Sequence, residues 1–155
     1  MVKRALIYLW AITLLFTMIS NIYGISHEGD FTDFKKIQVG PEERFQTIQS
    51  AIDAAEPDTL IEVTNGTYFE NIIIEKENIW IFGKGNTTIK GIEIGPVVNV
   101  QSNYFILRDV NIISPFNATG ILIRSDFLRM ENINVFGPGE GTGIDLVGNG
   151  FGWNS

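Results

Sequence analysis

The sequence predicts an all-β fold, a right-handed single-stranded parallel β-helix with about 23 residues per coil and an α-helix that caps its N-terminal end. Three observations predict it. Two segments match each other at a fixed offset, short apolar pairs alternate with polar residues, and one amphipathic stretch precedes the repeats. A repeat period of roughly 20–50 residues indicates a solenoid, a propeller or an array. We expect a solenoid of strands, because a 23-residue unit leaves no room for a helix beside them.

The repeat is clearest between residues 109–123 and residues 132–146. Asn111 of the first segment matches Asn134 of the second, and the tripeptide Thr119-Gly120-Ile121 matches Thr142-Gly143-Ile144. Other matched positions stay apolar: Val110 with Ile133, Ile112 with Val135, and Ile123 with Leu146. The columns continue upstream at the same offset in Val98 and Val100, and then, at a slightly longer offset, in Ile72 and Ile74. Such columns predict strands that stack coil over coil.

Within each repeat, apolar residues recur at every second position, which is the period of a strand with one buried face. The pairs are Ile72/Ile74, Ile79/Ile81, Ile92/Ile94, Val110/Ile112, Ile121/Ile123, Ile133/Val135 and Ile144/Leu146. Stacked in parallel register at about 4.8 Å per coil, they form continuous inward columns. The preference for right-handed crossovers favours the right-handed solenoid. Asn111 and Asn134 are then expected to form a structural asparagine ladder, with side-chain amides bonded from coil to coil.

A capping helix is predicted within residues 44–59, ahead of the first strands. One apolar stripe at helical spacing contains Phe45, Ile48, Ala51, Ile52 and Ala55. Thr47 is placed to cap the start of this helix, and Pro57 is placed to end it. A helix laid over the first coil would cover the apolar edge of the solenoid.

The segment of residues 45–91 resembles the N-terminal cap and first coils of pectin-lyase-like right-handed parallel β-helix proteins. The motifs that carry the resemblance are Thr47-Ile48-Gln49 with Ala51-Ile52, Asp58-Thr59, Gly66-Thr67-Tyr68 with Glu70-Asn71, and Gly83-Lys84-Gly85. The later coils are similar to the looser repeats of NosD-type periplasmic or surface proteins, so the resemblance spans residues 45–147. This superfamily includes pectinesterases, pectate lyases, polygalacturonases, copper-protein maturation factors and non-catalytic surface proteins. The resemblance therefore implies a fold, whereas the function must be argued from sites.

The N-terminus has the composition of an export signal. Lys3 and Arg4 precede an apolar run at residues 5–19, which is shorter than the about 20 residues that a membrane-spanning helix needs. Signal cleavage is expected after Gly24; because this site matches the small-residue pattern poorly, a retained anchor is the alternative. The predicted organisation is a signal peptide or anchor at residues 1–24, an N-terminal extension at residues 25–44 and the β-helix at residues 45–155. The expected location is secreted, extracellular or in the cell envelope.

Composition narrows the class of partner. Eighteen acidic residues against eleven basic ones give a net charge of -7, which argues against nucleic acid or an anionic membrane surface as partner. Cations, neutral sugars and proteins stay open, and polysaccharide or cell-envelope components are the expected partners. Because the chain has no cysteine, hydrophobic stacking and backbone hydrogen bonds must hold it together without disulfides.

Catalysis on a polysaccharide would need clustered carboxylates on an outward face. The predicted outward columns are Asn99, Leu122 and Asp145 in one, and Arg108 with Glu131 in another. Asp145 lies in "TGIDL", which faintly resembles a polygalacturonase motif, but no second acid stacks with it at the repeat spacing. Arg108 and Glu131 are expected to pair across neighbouring strands, either as a structural ion pair or as part of a sugar-binding groove. No catalytic residue is assigned.

Metal binding has little support in the sequence. Copper favours thiolate, thioether and imidazole ligands, whereas the exported chain would keep His27 and Met130 as its only histidine and methionine. Calcium stays open because carboxylate and amide oxygens suit it, although no calcium-loop motif occurs. We therefore predict no cofactor and no metal ligand.

Three N-x-[ST] sequons, at Asn65, Asn86 and Asn117, lie where turns are predicted. In an exported protein they are candidate glycosylation sites. The alternative is turn chemistry, because Asn, Gly and Thr are also common corner residues.

The last residues of the sequence leave a coil unfinished. Counterparts of Ile133 and Val135 would fall at positions 156 and 158, and Phe151 and Trp153 give an apolar end. We expect a C-terminally incomplete solenoid whose open edge is covered by self-association or by a missing C-terminal continuation.

Two functional hypotheses follow from the sequence. The first is a non-catalytic exported β-helix that serves as an envelope building block or a glycan-binding surface. The second is the N-terminal fragment of a carbohydrate-active enzyme, of the pectinesterase, polysaccharide lyase or glycoside hydrolase type, whose catalytic coils are missing.

Overall fold

A computed structural model describes residues 34–147, which form a parallel β-solenoid of about five turns. One short helix and ten strands follow each other in this part of the chain. In order they are β1 (Lys35–Val39), α1 (Ile48–Ala54), β2 (Thr59–Val63), β3 (Gly66–Phe69), β4 (Ile72–Ile74), β5 (Ile79–Lys90), β6 (Val98–Val100), β7 (Phe105–Ile113), β8 (Ile121–Ile123), β9 (Leu128–Phe136) and β10 (Ile144–Leu146).

The described strands pair in parallel and form two sheets. The long sheet has the order β1-β2-β5-β7-β9, with β3 also paired to β5, and the short sheet has the order β4-β6-β8-β10. Val110 pairs with Ile133 and Ile121 pairs with Ile144, so these successive coils keep the offset that the sequence repeat predicts. The predicted fold class, a parallel solenoid with about 23 residues per coil, is therefore confirmed.

The long strands β7 and β9 each turn a corner at one residue. Asp109 and Asn132 have φ values of 57° and 52°, in the left-handed region that Asp and Asn tolerate better than most residues. Because of this corner, Leu107 and Val110 both point into the core although they are three positions apart. Each long strand thereby supplies two of the faces that enclose a coil.

The core consists of columns of inward aliphatic side chains. Ile72, Val98 and Ile121 stack in the short sheet, and each is fully buried. Ile81 and Leu107 do the same in the long sheet. At about 25 cal/mol per Å² of apolar surface removed from water, these columns are the main favourable contribution to folding in a chain without disulfides.

The predicted capping helix is confirmed as α1, which packs over the first coil. Its N-cap is Thr47, whose Oγ1 accepts a hydrogen bond from the Ser50 amide at 3.3 Å. The predicted stripe faces inward, since Ile48, Ala51 and Ile52 are buried. The helix has ended before Pro57, as expected.

Side chains from the following coil hold both ends of α1. The Glu70 carboxylate accepts hydrogen bonds from the amides of Ile48, at 2.8 Å, and Gln49, at 2.9 Å. At the other end, Lys76 Nζ donates to the carbonyl oxygens of Ile52, Asp53 and Ala55. An anion at the N-terminus and a cation at the C-terminus both oppose the helix dipole and satisfy backbone groups that the helix leaves unpaired.

Gln49 also connects α1 to the edge of β4. Its Oε1 accepts the Ile73 amide at 2.8 Å, and its Nε2 donates to the Ile73 carbonyl at 3.4 Å. The side-chain amide thus takes the place of a neighbouring strand. This contact covers part of a sheet edge that would otherwise offer unpaired backbone groups.

Two features differ from the sequence prediction. The long sheet begins ahead of Phe45, because β1 lies in the segment assigned to an N-terminal extension and pairs with β2 from Lys35 to Val39. The prediction of a strand pair at Ile92 and Ile94 is wrong, because both residues lie in an exposed loop.

The reason for the second difference is the length of one coil. Ile72 pairs with Val98 and Val98 pairs with Ile121, so the coil from β4 to β6 is longer than the coil from β6 to β8. Its extra length leaves the solenoid surface between Gly91 and Val97.

Several sequence predictions lie outside the described residues. They concern the export signal, its cleavage after Gly24, His27, and the tail that contains Phe151 and Trp153. Within residues 34–147, no helix has the length and apolar character needed to cross a membrane.

Candidate functional site

Arg108 and Glu131 lie directly opposite each other on β7 and β9, with their side chains outward. Arg108 Nε is 3.8 Å from Glu131 Oε2 and 3.1 Å from Asp109 Oδ2. Glu131 also accepts a hydrogen bond from Arg129 Nε at 2.7 Å. These side chains are between 36% and 69% exposed, so each pair contributes well under about 1 kcal/mol. The two arginines are already neutralised by acids of the same surface.

Asp145 lies on a different face from Arg108 and Glu131. It points outward from β10 in the short sheet, in register with Leu122, which in turn lies beside Asn99. Ile73 of β4 completes this outward column. One carboxylate among these four positions does not make the paired acids that glycosidic bond cleavage requires.

Asn111 and Asn134 are two rungs of a side-chain ladder. Asn134 Nδ2 donates to Asn111 Oδ1 at 2.9 Å, and Asn111 Nδ2 donates to Asn86 Oδ1 at 2.9 Å. A second, shorter ladder lies beside it at the corner, where Asn132 Nδ2 donates to Asp109 Oδ1 at 2.8 Å. The asparagines therefore have a structural role, and Asn86 belongs to the ladder although the repeat alignment left it out.

The three sequon asparagines are exposed, but two of them already accept hydrogen bonds. Asn86 Oδ1 accepts from Asn111, and Asn117 Oδ1 accepts from the Glu140 amide at 3.3 Å. Asn117 has a φ of 55°, which is a turn conformation. Turn and ladder chemistry thus account for Asn86 and Asn117, and glycosylation at Asn65, Asn86 and Asn117 stays a prediction.

Glu62 is the centre of a charge cluster on the first coils. Lys84 Nζ is 2.9 Å from Glu62 Oε2, and Lys36 Nζ is 3.4 Å from Glu62 Oε1. Partial burial alone would raise the pKa of Glu62, but the hydrogen bond from Lys84 and the charges of Lys84 and Lys36 outweigh it and lower the pKa below the usual 4.5. Glu62 therefore ties β1, β2 and β5 together while it is ionised.

In the part of the chain that the structure describes, histidine, aspartate and glutamate side chains form no group of three that could hold a metal ion. Met130, the one methionine there, is partly buried against the core. Calcium binding stays untested.

The aromatic corner, which we define as Tyr104 and Phe127, was missed in the sequence. Each of these residues directly precedes a strand of the long sheet, and Asp58 and Asn78 occupy the same place in the earlier coils. The two rings are stacked, with centroids 4.8 Å apart and planes 3° from parallel. Both side chains are at least half exposed. The sequence signal was available, because Tyr104 and Phe127 are separated by one repeat length.

Tyr104 has an unfavourable backbone conformation. Its φ is 59°, and the φ values of Asp58 and Asn78 are 60° and 56°. Asp and Asn tolerate this left-handed region, whereas a bulky aromatic residue there is an outlier that costs roughly 1–3 kcal/mol. Asp58, Asn78 and Tyr104 adopt this conformation and Phe127 does not, so the strain falls on Tyr104 alone of the two aromatic residues.

A pocket of about 640 Å³ opens beside the aromatic corner. The rings of Tyr104, Phe127 and Trp80 contribute to its wall, together with Met130 and Leu146. Its polar groups come from Asn78, Asp126 and Arg129. Few polar groups in a largely apolar concavity are typical of a site that binds a small molecule or a segment of a polymer.

No protein-family model matches the chain, and no significant similarity to a curated protein or to a solved structure was found.

Proposed function

We propose that this protein is an exported, non-catalytic, pectin-lyase-like β-helix that binds neutral glycan chains at the aromatic corner. The observation that carries the proposal is the exposed stack of Tyr104 on Phe127 beside a pocket of about 640 Å³. Backbone strain, ligand chemistry, charge and the rest of the fold each support it.

Backbone strain favours a function for Tyr104. Asp58 and Asn78 occupy the same corner in the earlier coils, and either residue type would adopt the φ of 59° with less backbone strain than Tyr104 does. Residues held in such conformations cluster at binding and catalytic sites, because stability alone does not favour them. A half-exposed aromatic ring gains little from burial that would offset this cost.

The chemistry of the pocket suits a sugar. A pyranose ring has an apolar face of C–H groups and a rim of hydroxyls, and aromatic side chains combine large apolar surfaces with defined orientation. Tyr104, Phe127 and Trp80 supply the apolar surfaces. Asn78, Asp126 and Arg129 supply donors and acceptors for the hydroxyls.

Charge favours a neutral glycan over an acidic one. Arg129 is the cation of the pocket, and it is hydrogen-bonded to Glu131. Asp126 adds a negative charge to the same wall, and the whole chain has a net charge of -7. These negative charges would repel a polyuronate, and Arg129 would not compensate the repulsion because it is already paired with Glu131.

The remaining parts of the proposal rest on the motifs and on the short sheet. Glu70 and Gly83, two residues of the motifs shared with pectin-lyase-like proteins, contact the cap helix and the next coil respectively. Export is supported by the charged and apolar segments of residues 1–24. A non-catalytic role is supported by the outward column of Ile73, Asn99, Leu122 and Asp145, where Asp145 stands without a second acid.

The test is a binding measurement on the full chain. Isothermal titration calorimetry with soluble neutral oligosaccharides and with oligogalacturonate should give binding to at least one neutral ligand and weaker binding to the uronate. Tyr104→Asn removes the ring and introduces a residue type that tolerates the corner conformation, so the variant should fold with an unchanged or higher Tm. We expect its affinity to fall at least about tenfold, which corresponds to about 1.4 kcal/mol.

Phe116→Ala is the matched control, since Phe116 is an exposed aromatic residue of another surface. It should leave glycan affinity unchanged. Equal affinity of Tyr104→Asn and the unchanged protein would refute the site. The release of reducing ends, unsaturated products or methanol from polygalacturonate or methylated pectin would refute the non-catalytic role and would favour the alternative, a piece of a carbohydrate-active enzyme.

A further inference from the structure

A second surface, distinct from the aromatic corner, exposes large apolar side chains. We define it as the apolar ridge: Phe69, Ile92, Ile94, Phe116 and Phe136, whose exposed fractions are 62%, 60%, 96%, 67% and 56%. Phe69 and Phe136 belong to one outward column, which runs Phe69, Lys90, Ile113, Phe136 over four coils. The loops that follow two of these strands carry Ile92, Ile94 and Phe116.

The ridge is held in place rather than loosely attached. Lys90 Nζ lies 5.7 Å from the centre of the Phe69 ring. The Phe116 ring packs so closely against Gly139 of the next coil that a Cβ there would overlap it. The Ile92 amide donates to Asn71 Oδ1 at 2.9 Å, and Asn71 Nδ2 in turn bonds the Pro96 carbonyl at 3.0 Å, which fixes both ends of the protruding loop.

We propose that the apolar ridge is the contact surface of a homodimer, in which two copies of this chain pack antiparallel about a twofold axis. A twofold axis through the middle of the ridge pairs the first coil of one copy with the last coil of the other. Phe69 then meets Phe136 of the second copy, and Ile92 and Ile94 meet Phe116. The ridge fits itself under this rotation because an aromatic residue stands at each end of the column, and Lys90 of one copy faces Ile113 of the other in the middle.

The size of the ridge is sufficient for a dimer. Five large apolar side chains exposed to this extent present roughly 600 Å² per copy, close to the about 800 Å² that each partner contributes to a standard interface. A single monomer rarely leaves a contiguous apolar patch of more than a few hundred Å² in water. Lys90 holds its ammonium over the Phe69 ring, so its charge keeps an aromatic partner while its stem joins the apolar contact.

A second copy fits this ridge better than a lipid surface does. The chain carries a net charge of -7, which opposes approach to an anionic bilayer, and the outward column of the ridge contains Lys90 as its one cation. The proposal also constrains glycosylation. Asn117 follows Phe116 directly and is exposed, so a glycan at this sequon would cover the proposed contact.

Sedimentation velocity on the full chain over a range of micromolar concentrations tests the proposal. We expect a dimer that dissociates on dilution, with Asn117 unmodified in the dimer by mass spectrometry. Ile94→Glu places a charge at the most exposed ridge position and should shift the dissociation constant upward at least about tenfold, without a change in circular dichroism. Tyr104→Asn removes an exposed aromatic ring from another surface and should leave the dimer unchanged.

Crosslinking gives a second measurement that does not depend on stability. The chain has no cysteine, so Phe116→Cys and Tyr104→Cys each introduce a single thiol. A short bismaleimide should link two copies through Cys at position 116 and not through Cys at position 104. A monomer at all concentrations, a dimer unaffected by Ile94→Glu, or a monomer that binds zwitterionic vesicles through the ridge would each overturn the proposal. Because glycan binding is measured at a different surface, either proposal can fail while the other stands.

Discussion

Glu70 accepts a hydrogen bond from the amide of Ile48 at 2.8 Å, although 22 residues separate them in the sequence. This contact fixes where the capping helix α1 begins relative to the coil beneath it. Only 9% of the surface of Glu70 is exposed. The contact therefore gives a local physical reason for a carboxylate at this position, independent of any catalytic role.

The first prediction concerns Glu70. Glu70→Ala leaves the amides of Ile48 and Gln49 without their acceptor and removes an anion from the helix N-terminus, so the free energy of unfolding should fall by about 2–3 kcal/mol. Glu70→Gln keeps one acceptor oxygen, so its stability should lie between those of Glu70→Ala and the unchanged protein. Urea denaturation followed by circular dichroism measures both. Glu75→Ala, a change at an exposed neighbouring acid, should cost less than about 0.5 kcal/mol; an equal loss would contradict the capping role.

The second prediction concerns pH. The pKa of Glu62 is lowered in the folded state, so its ionised form contributes stability above the unfolded pKa of about 4.5, and this contribution is lost as the pH falls through the lower folded pKa. Glu62→Gln should therefore destabilise the protein by about 1 kcal/mol at pH 7 and have a much smaller effect near pH 3. Urea titrations at a series of pH values give the difference.

Glu56→Gln is the control for the pH prediction. The hydrogen bond from Lys35 also lowers the pKa of Glu56, but its side chain is 70% exposed, whereas that of Glu62 is 14% exposed. Water and salt screen the exposed pair, so Glu56→Gln should have little effect at either pH. If both substitutions gave the same pH dependence, the burial of Glu62 would not be the cause of its contribution to stability.

The sequence predicted the features that depend on local spacing. Matched segments one repeat length apart predicted the register of β7 with β9 and of β8 with β10. The stripe from Phe45 to Ala55 predicted α1 with its Thr47 cap, although the helix itself begins at Ile48. Both signals depend on the repeat of a pattern within one window of the chain. A solenoid is favourable for such prediction because each coil contacts its sequence neighbours.

The features that the sequence did not predict depend on contacts between unlike segments. Glu70 contacts α1 across 22 residues and matches no repeated position. The alternating pair Ile37/Val39 belongs to the strand Lys35–Val39, which pairs with β2, but it lies ahead of the capping helix and outside the aligned repeats. The Ile92/Ile94 pair has strand periodicity but lies in the longer coil between β4 and β6, whose extra residues form a loop. Tyr104 and Phe127 obey the repeat spacing, but they lie at a corner outside the aliphatic columns that define the repeat.

The third prediction concerns the asparagine ladder. Asn111 is its middle rung and makes side-chain hydrogen bonds to Asn86 and Asn134, whereas Asn134 is bonded to Asn111. Asn111→Ala should therefore lower the free energy of unfolding by about 1.5–2 kcal/mol, and Asn134→Ala by about half as much. Thermal and urea unfolding compare the two variants. If Asn134→Ala cost as much as Asn111→Ala, the bonds between rungs would not be the source of the stability.

The fourth prediction uses the two copies of the Thr-Gly-Ile motif. A Cβ added to Gly120 would overlap the carbonyl oxygen of Gly143 and the Val135 side chain. Two hydrogen bonds hold the next coil close to Gly120. The Gly120 amide donates to the Thr142 carbonyl at 2.9 Å, and the Ile121 amide donates to the Gly143 carbonyl at 3.0 Å. Gly120→Ala should therefore destabilise the protein by about 2 kcal/mol or more, as measured by urea unfolding.

Gly143 is the matched control, because it holds the same place in the next repeat and no atom of residues 34–147 lies within 4 Å of the position that its Cβ would take. Replacing a glycine where space and backbone allow it reduces the entropy of the unfolded chain, so Gly143→Ala should be neutral or stabilising by up to about 1 kcal/mol. The contrast isolates the one physical difference between two identical tripeptides, which is the presence of a stacked coil in contact with the glycine. Equal destabilisation by both substitutions would mean that the motif needs glycine for its own backbone and not for the close approach of its neighbour.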